Sequence, residues 1–189
     1  MSRGLAVWIT GLSWVAFVAL IVVIGARSLA AQRSRPARTE AQNHWSMFGM
    51  ALEAVAVLIA ITGESAAVAQ WRLWVACVLA PLGAGFALRG ALALGRHFRA
   101  QAVVTSDHEL ITTGPYAVVR HPIYAGLLAL VVSTGLVRNS WLRLAIAIAV
   151  YCAGTEVRVW AEEQILERRF PNQLAEYRKR VKAYIPFVR

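Results

Sequence analysis

Five apolar runs, separated by loops that concentrate arginine, limit this chain to very few architectures. They cover about Leu5 to Ala26, Met47 to Thr62, Trp71 to Leu88, Ile123 to Val137, and Trp141 onward past Tyr151 toward Trp160. A bilayer-spanning helix needs roughly 20 consecutive apolar residues, and several of these runs approach that length. Composition agrees: 58% of the 189 residues are hydrophobic and the mean hydropathy is +0.53, against about 45–50% apolar in soluble domains. The first run is too long for a signal peptide, and no basic leader or A-x-A site flanks it, so it reads as a retained helix. The fourth run is short for a full span unless it tilts. Only Arg138-Asn139-Ser140 separates it from the fifth, so the last two segments are expected to form a helical hairpin. Trp8, Trp45, Trp71, Trp74, Trp141 and Trp160 fall near segment ends, as interfacial aromatics do. The expectation is an all-α integral membrane protein with five transmembrane helices.

Arginine placement predicts orientation. Arg27, Arg33, Arg35 and Arg38 follow the first run, and Arg89, Arg96, Arg99 and Arg120 follow the third. The tail carries Arg168, Arg169, Arg178, Lys179, Arg180, Lys182 and Arg189, whereas the opposite side has Arg3, Arg72, Arg138 and Arg143. The positive-inside rule then puts the N-terminus outside and the C-terminus in the cytoplasm. This accounts for most of the net charge of +10. Nucleic-acid binding is disfavoured, because the basic residues flank spans and form no separate basic domain. Cys77 and Cys152 lie inside apolar runs and read as small hydrophobes; no zinc-ligand spacing is present. GAGFALRG (Gly83 to Gly90) lies in an apolar run with no preceding strand, so it reads as small-residue helix packing and not as a nucleotide loop.

Two polar clusters break the apolar pattern on the side expected to be cytoplasmic. The first is GPYAVVRHPIYAG, Gly114 to Gly126, and the second is Arg158 with Glu162 and Glu163. Pro115 and Pro122 fix φ and remove amide donors, giving a rigid irregular loop. Pro122 suits the first turn of the fourth helix, which leaves His121 at its N-terminus, where free N–H groups favour an anion. Tyr116 and Tyr124 offer aromatic faces to an adenine or a sulfonium, and hydroxyls to a ribose or carboxylate. Arg158 and Glu162 are spaced i, i+4 and share a helix face. Glu162 can hold an ammonium and Arg158 an acidic group; a solvated salt bridge between them is the bland alternative. The tail beyond reads as helical from Ala161 to Arg169 and again from Gln173 to Lys182, broken by Pro171, with Pro186 marking the end. Glu53, a charge within the second run, faces the bundle interior, pairs with an arginine or lines a cavity. Glu156 is expected to pair structurally, and His44 and His97 read as interfacial.

These residues carry a family resemblance. GPYAVVRHPIYAG resembles the GPYxxxRHPxYxG signature of the isoprenylcysteine carboxyl methyltransferases, which are related to the membrane phospholipid N-methyltransferases. LGRHFRAQAVVTSDHELITTGPY (Leu94 to Tyr116) resembles the family's lead-in, and EEQILERRFPNQLAEYRKRVKAYIPFV (Glu162 to Val188) its ending. The resemblance covers Leu88 to Val188; the first half matches in hydropathy alone. Pro171 stands where the family often has glycine. RHPxY followed by the EE pair and the tail is specific, whereas RHP alone is weak.

The resemblance implies methyl transfer from S-adenosylmethionine, without a metal, within a helical membrane fold. The family's cofactor contacts carry over to Gln101, His108, Glu109, Leu110, Ile111, Tyr116, His121, Pro122, Ile123, Tyr124 and Glu162. Arg158 matches the substrate-side arginine. Glu163 is a candidate catalytic residue, and Tyr177 and Arg180 match positions of less defined role. Residues 1–189 are expected to form one domain, with three spans in 1–88 and the cofactor-binding half in 89–189. The expected substrate is a lipophilic small molecule or lipidated chain bearing a carboxylate, with membrane lipid as the surrounding partner. A carboxylate is ionised at neutral pH and needs no base, whereas an amine or thiol acceptor needs His121 or Glu163 to assist. A phospholipid amine, a small thiol and a non-enzymatic role all remain open at this stage.

Overall fold

A computed structural model describes residues 1–34, 39–63, 68–99, 102–105 and 109–185. Among the described residues six α-helices dominate: α1 (Arg3–Ser34), α2 (Trp45–Ile61), α3 (Gln70–Leu94), α4 (Pro122–Arg138), α5 (Trp141–Arg169) and α6 (Pro171–Arg180). The first, third and fifth are long and apolar enough to cross a membrane; α2 and α4 are shorter apolar helices of 17 residues each. Their outward faces are what lipid would meet: Val15, Val18 and Val22 on α1 and Val78 and Leu82 on α3 are exposed. All six tryptophans assigned to segment ends are exposed as well, and Trp71 stacks on Trp141 at 5.9 Å.

α4 is the central helix. It packs on α3 and α5, α1 leans on α3 and α4, and α2 lies along α5 and α4. Small residues set the closest approaches. A Cβ at Gly83 of α3 would lie 2.8 Å from the Gly126 carbonyl of α4, and one at Gly49 of α2 would lie 2.5 Å from the Gly154 carbonyl of α5. The GAGFALRG segment is therefore a helix-packing surface, as its apolar setting suggests. The Arg138–Ser140 turn joins α4 and α5 as a hairpin, with the Ser140 hydroxyl accepting from the Arg143 amide.

The opposite end of the bundle explains its few arginines. Buried Arg72 donates to the carbonyls of Gly135 (3.2 Å) and Asn139 (2.6 Å), and lies 4.4 Å over the Trp141 ring. Arg3 donates to the Val137 carbonyl, and Arg143 to the Ile59 carbonyl and the Thr62 hydroxyl. These cations satisfy the last carbonyls of α4 and α2, where the helix dipole is negative.

Two features differ from the sequence expectation. The chain is not wholly helical: β1 (Thr39–Asn43) and β2 (Ala102–Thr105) form an antiparallel ribbon, pairing Asn43 with Ala102 and Thr39 with Thr105. It ties the loop after α1 to the loop after α3, and Ala102 packs against Ala161 and Ile165 of α5. The tail is helical to Arg169 as expected, as the continuation of the 29-residue α5, but the next helix begins earlier than Gln173. Pro171 does not interrupt a helix; it opens α6, where a missing N–H costs nothing. Pro186 lies outside the described residues.

Candidate active site

The two polar clusters meet at the β-ribbon end of the bundle. Gly114, with φ of +61°, turns the chain into a short 3₁₀ turn over Gly114–Ala117, a conformation that favours glycine. Beyond it the chain pairs with the tail: the Arg120 amide donates to the Lys182 carbonyl (2.8 Å) and the His121 amide to that of Ala183 (2.7 Å). Pro122 then begins α4. His121 is thereby held at the helix entrance, facing the last turns of α5.

The side chains form one continuous network. The two ring nitrogens of His121 face two carboxylates, Nδ1 at 3.2 Å from Glu162 and Nε2 at 3.3 Å from Glu163. The ring stacks on Tyr124 at 5.6 Å, and the Tyr124 hydroxyl donates to Glu162. Arg120 (2.7 Å) and Arg178 (2.9 Å) brace Glu163 from opposite oxygens. On the membrane side, Arg158 sits 4.7 Å over the Tyr124 ring and pairs with Glu53 of α2 at 2.8 Å. Glu53 also accepts from Thr155 (3.0 Å), and Tyr151 donates to the Tyr124 carbonyl (2.8 Å). Ion pairs at this depth are costly unless fully partnered, and Glu53 and Arg158 are both buried.

Burial opposes charging of the His121 ring, but hydrogen bonds and charge from Glu162 and Glu163 more than offset it, raising its pKa above 6.5. Burial, then the charges of Glu162 and Tyr177, push the Tyr116 phenol up, so it stays a neutral donor. A histidine with a raised folded pKa stabilises the fold fully below about pH 6.5, and that contribution is lost as pH rises through the higher folded value. Thermal stability should therefore fall as pH rises above about 6.5, and His121→Gln should flatten this slope. Equal pH dependence in the two proteins would contradict it.

A cavity of about 580 Å³ opens beside this network, within the range of small-molecule sites. Glu109, Leu110, Ile111, Tyr116, His121, Ile123, Tyr124 and Glu162 line it, as do Arg158 and Glu163. Pro122 does not; it is fully buried and lies against Gly90 of α3. Gln101 and His108 lie outside the described residues. Leu110 and Ile111 pack against the Tyr116–Leu174–Tyr177 cluster, which forms one wall. Sequence reasoning left Glu53 between three roles, and it fills all three: it faces inward, pairs with an arginine and lines the cavity. The bracing of Glu163 by Arg178 was missed; Arg178 lies 15 residues further on, in the next helix, and no spacing rule links the two. Glu156 accepts from Tyr184 (2.8 Å) and serves structure, as expected.

Residues 71–173 match the model of the phospholipid methyltransferase family. The chain belongs to that family. Protein-S-isoprenylcysteine O-methyltransferase B of Arabidopsis thaliana is 38% identical over 82 residues, 43% of this chain and 41% of that protein. The nickel-cobalt-cadmium resistance protein NccN of Alcaligenes xylosoxydans xylosoxydans is 31% identical over 135 residues, 69% of this chain and 59% of that one. The chain thus spans from about two fifths to three fifths of these relatives' length. The structure of the eukaryotic intramembrane Ras methyltransferase ICMT (isoprenylcysteine carboxyl methyltransferase) superposes with a TM-score of 0.52 at 21% identity, covering 95% of this chain and 68% of that one. The matched segment of this family member runs from α3 into α6 and contains both polar clusters.

Proposed function

We propose that this chain is an S-adenosylmethionine-dependent integral membrane methyltransferase acting on the carboxylate of a lipophilic, isoprenylcysteine-like acceptor. The observation that carries this reading is a single cavity with two characters. Its upper end holds the His121–Tyr124–Glu162 network, and its lower walls are Phe17, Val18 and Ile21 of α1 with Met50, Ala54 and Val57 of α2. Among the described residues, α1 and α2 make no extensive contact with each other, so the apolar end faces the surrounding lipid between them.

The donor set fits S-adenosylmethionine. Glu162, oriented by Tyr124 and His121, offers a carboxylate to an ammonium; Tyr116, Leu110, Ile111 and Ile123 supply a flat apolar wall for an adenosine. Gln101, His108, Glu109 and Pro122 complete the proposed cofactor set, Pro122 by shaping the α4 entrance. When bound, the cofactor supplies an electrophilic methyl whose bonding electrons leave with sulfur, so a carboxylate oxygen is alkylated with no proton to remove. Arg158 positions that carboxylate, and Glu53 fixes Arg158. Holding both partners in line accounts for much of the acceleration expected. His121 and Glu163 are engaged, the first between two carboxylates and the second between two arginines. Neither is well placed as a free base, which favours an acceptor that arrives ionised over an amine or thiol. Glu163 would then act by holding His121 and Arg120.

The decisive experiment is labelled-methyl transfer by protein in detergent, run in parallel on a prenylcysteine analogue, phosphatidylethanolamine and a small thiol. The expected result is transfer to the prenylcysteine carboxylate. Transfer to the amine or thiol alone would overturn the carboxylate assignment, and cofactor binding without transfer to any of these would leave a non-catalytic role.

The same reading makes all five apolar helices membrane spans of one domain, 1–189, in which 1–88 supplies the lipid-facing wall and 89–189 the cofactor half. The N-terminus lies outside, and the site and C-terminus are cytoplasmic. The end bearing Arg27, Arg33, Arg89, Arg120, Arg168 and Arg169 is the cytoplasmic one. In a background lacking Cys77 and Cys152, cysteines at Ser140 and Arg168 should react with an impermeant maleimide from opposite faces. Labelling from one face would refute this topology.

A further inference from the structure

The cavity's apolar arm ends abruptly. Its deepest lining residues are Phe17, Val57, Leu127 and Tyr151. One helical turn further from the site, the bundle is solid. In that layer α2 contributes Ala60, α4 Val131 and α5 Ala147, all essentially without exposure. Two of the three are alanines, which lets these helices approach closely. From α1, Trp14 packs against this cluster and edge-on against Phe17, with ring centroids 6.2 Å apart.

The indole is also locked. Its Nε1–H donates to the Thr134 hydroxyl of α4 at 2.9 Å, and that hydroxyl donates in turn to the Leu130 carbonyl at 2.8 Å. Both hydroxyl roles are thereby used, and the indole donor is satisfied inside an apolar layer, where an unmade bond would be costly. A tryptophan pinned in this way is a fixed wall and cannot swing aside as a gate.

We infer that Trp14 is the specificity-determining residue that sets the length of hydrocarbon tail the site accepts, a role that rests on the lipophilic-acceptor reading above. From Arg158, the proposed carboxylate anchor, to Tyr151 α5 spans about 10 Å by helical rise, roughly the length of an eight-carbon chain. Longer tails must bend out between α1 and α2 into lipid, so discrimination is set where the tail meets Phe17 and the indole packed behind it. Removing the indole takes away the support behind Phe17 and deepens the arm along the same axis.

The test is a competition for methyl transfer among N-acetyl-S-alkylcysteines of graded tail length, with wild type, Trp14→Ala and Val57→Phe. Val57 lies at the arm's lower end and is half-exposed, so the larger ring has room to fold. Trp14→Ala should raise the ratio of long-tail to short-tail kcat/KM by about tenfold, the scale on which apolar pockets discriminate chain length. Val57→Phe should lower that ratio by a similar factor, and it keeps the question answerable if Trp14→Ala does not fold. Thr134→Val, which frees the indole but keeps its bulk, should broaden the length profile without moving its maximum far. Unchanged ratios in Trp14→Ala and Val57→Phe, with transfer intact, would overturn the assignment of Trp14 while leaving the lipophilic acceptor standing. Failure of wild type to methylate any member of the series would overturn both.

Discussion

Replacing Arg158 with alanine should lower turnover about 10- to 100-fold while leaving cofactor affinity nearly unchanged, the loss expected when a charged hydrogen-bond donor to the acceptor is removed. The guanidinium lies between the Tyr124 ring and Glu53, on the membrane side of the proposed cofactor contacts. The same substitution strands the buried Glu53 carboxylate, which should cost about 3–5 kcal/mol of stability. The two effects separate in a double variant. Glu53→Gln with Arg158→Gln replaces a charge pair by two neutral amides, leaves no stranded charge and should recover part of the stability. It should not recover turnover, because an amide cannot neutralise a carboxylate acceptor. Recovery of turnover in the double variant, or loss of cofactor binding in Arg158→Ala, would make Arg158 a structural residue. Calorimetric titration of cofactor alongside single-turnover methyl transfer distinguishes these cases.

Gly154→Leu should prevent recovery of folded protein. A Cβ there would lie 2.6 Å from the Gly49 carbonyl and 2.9 Å from the Leu52 Cβ, both on α2. Nothing on α2 can yield except backbone, so the helices must separate. Overpacking alone costs about 1–3 kcal/mol. Separation also draws Glu53 from Arg158 and Thr155, which lie on the same two faces, and adds a further cost of about 3–5 kcal/mol. Gly85→Leu on α3 is the matched control, since nothing lies within 4 Å of a Cβ built there. Thermal denaturation monitored by size-exclusion should show Gly85→Leu near wild type and Gly154→Leu aggregated. Comparable stability of the two variants would mean that the α2–α5 contact is looser than its geometry indicates.

Much of the site was legible in the sequence because the polar end of the cavity is local. Tyr116, His121 and Tyr124 fall within nine residues, and proline fixes how that stretch enters α4. Arg158 and Glu162 share a face by helical spacing alone, and both line the cavity. The helices themselves were legible because apolar length is a near-sufficient signal when the backbone must satisfy its own hydrogen bonds. The boundaries were less so. The last helix was expected from Gln173 after a break at Pro171, yet α6 opens at Pro171 itself, where the missing N–H costs nothing.

What the sequence determined by itself was the class of the protein, its helices and the residues able to hold a polar ligand at the head of α4. Only the tertiary structure decided which groups complete them. Glu53 meets Arg158 across 105 residues, Trp14 meets Thr134 across 120, and the ribbon that ties the α1 and α3 loops joins stretches of five and four residues, too short to announce strands. Each of these pairings depends on the rotation of one helix against another. That rotation is set by where Gly49, Gly83, Gly126 and Gly154 let backbones touch, and helix-packing contacts leave no periodic trace in a segment whose every face is apolar.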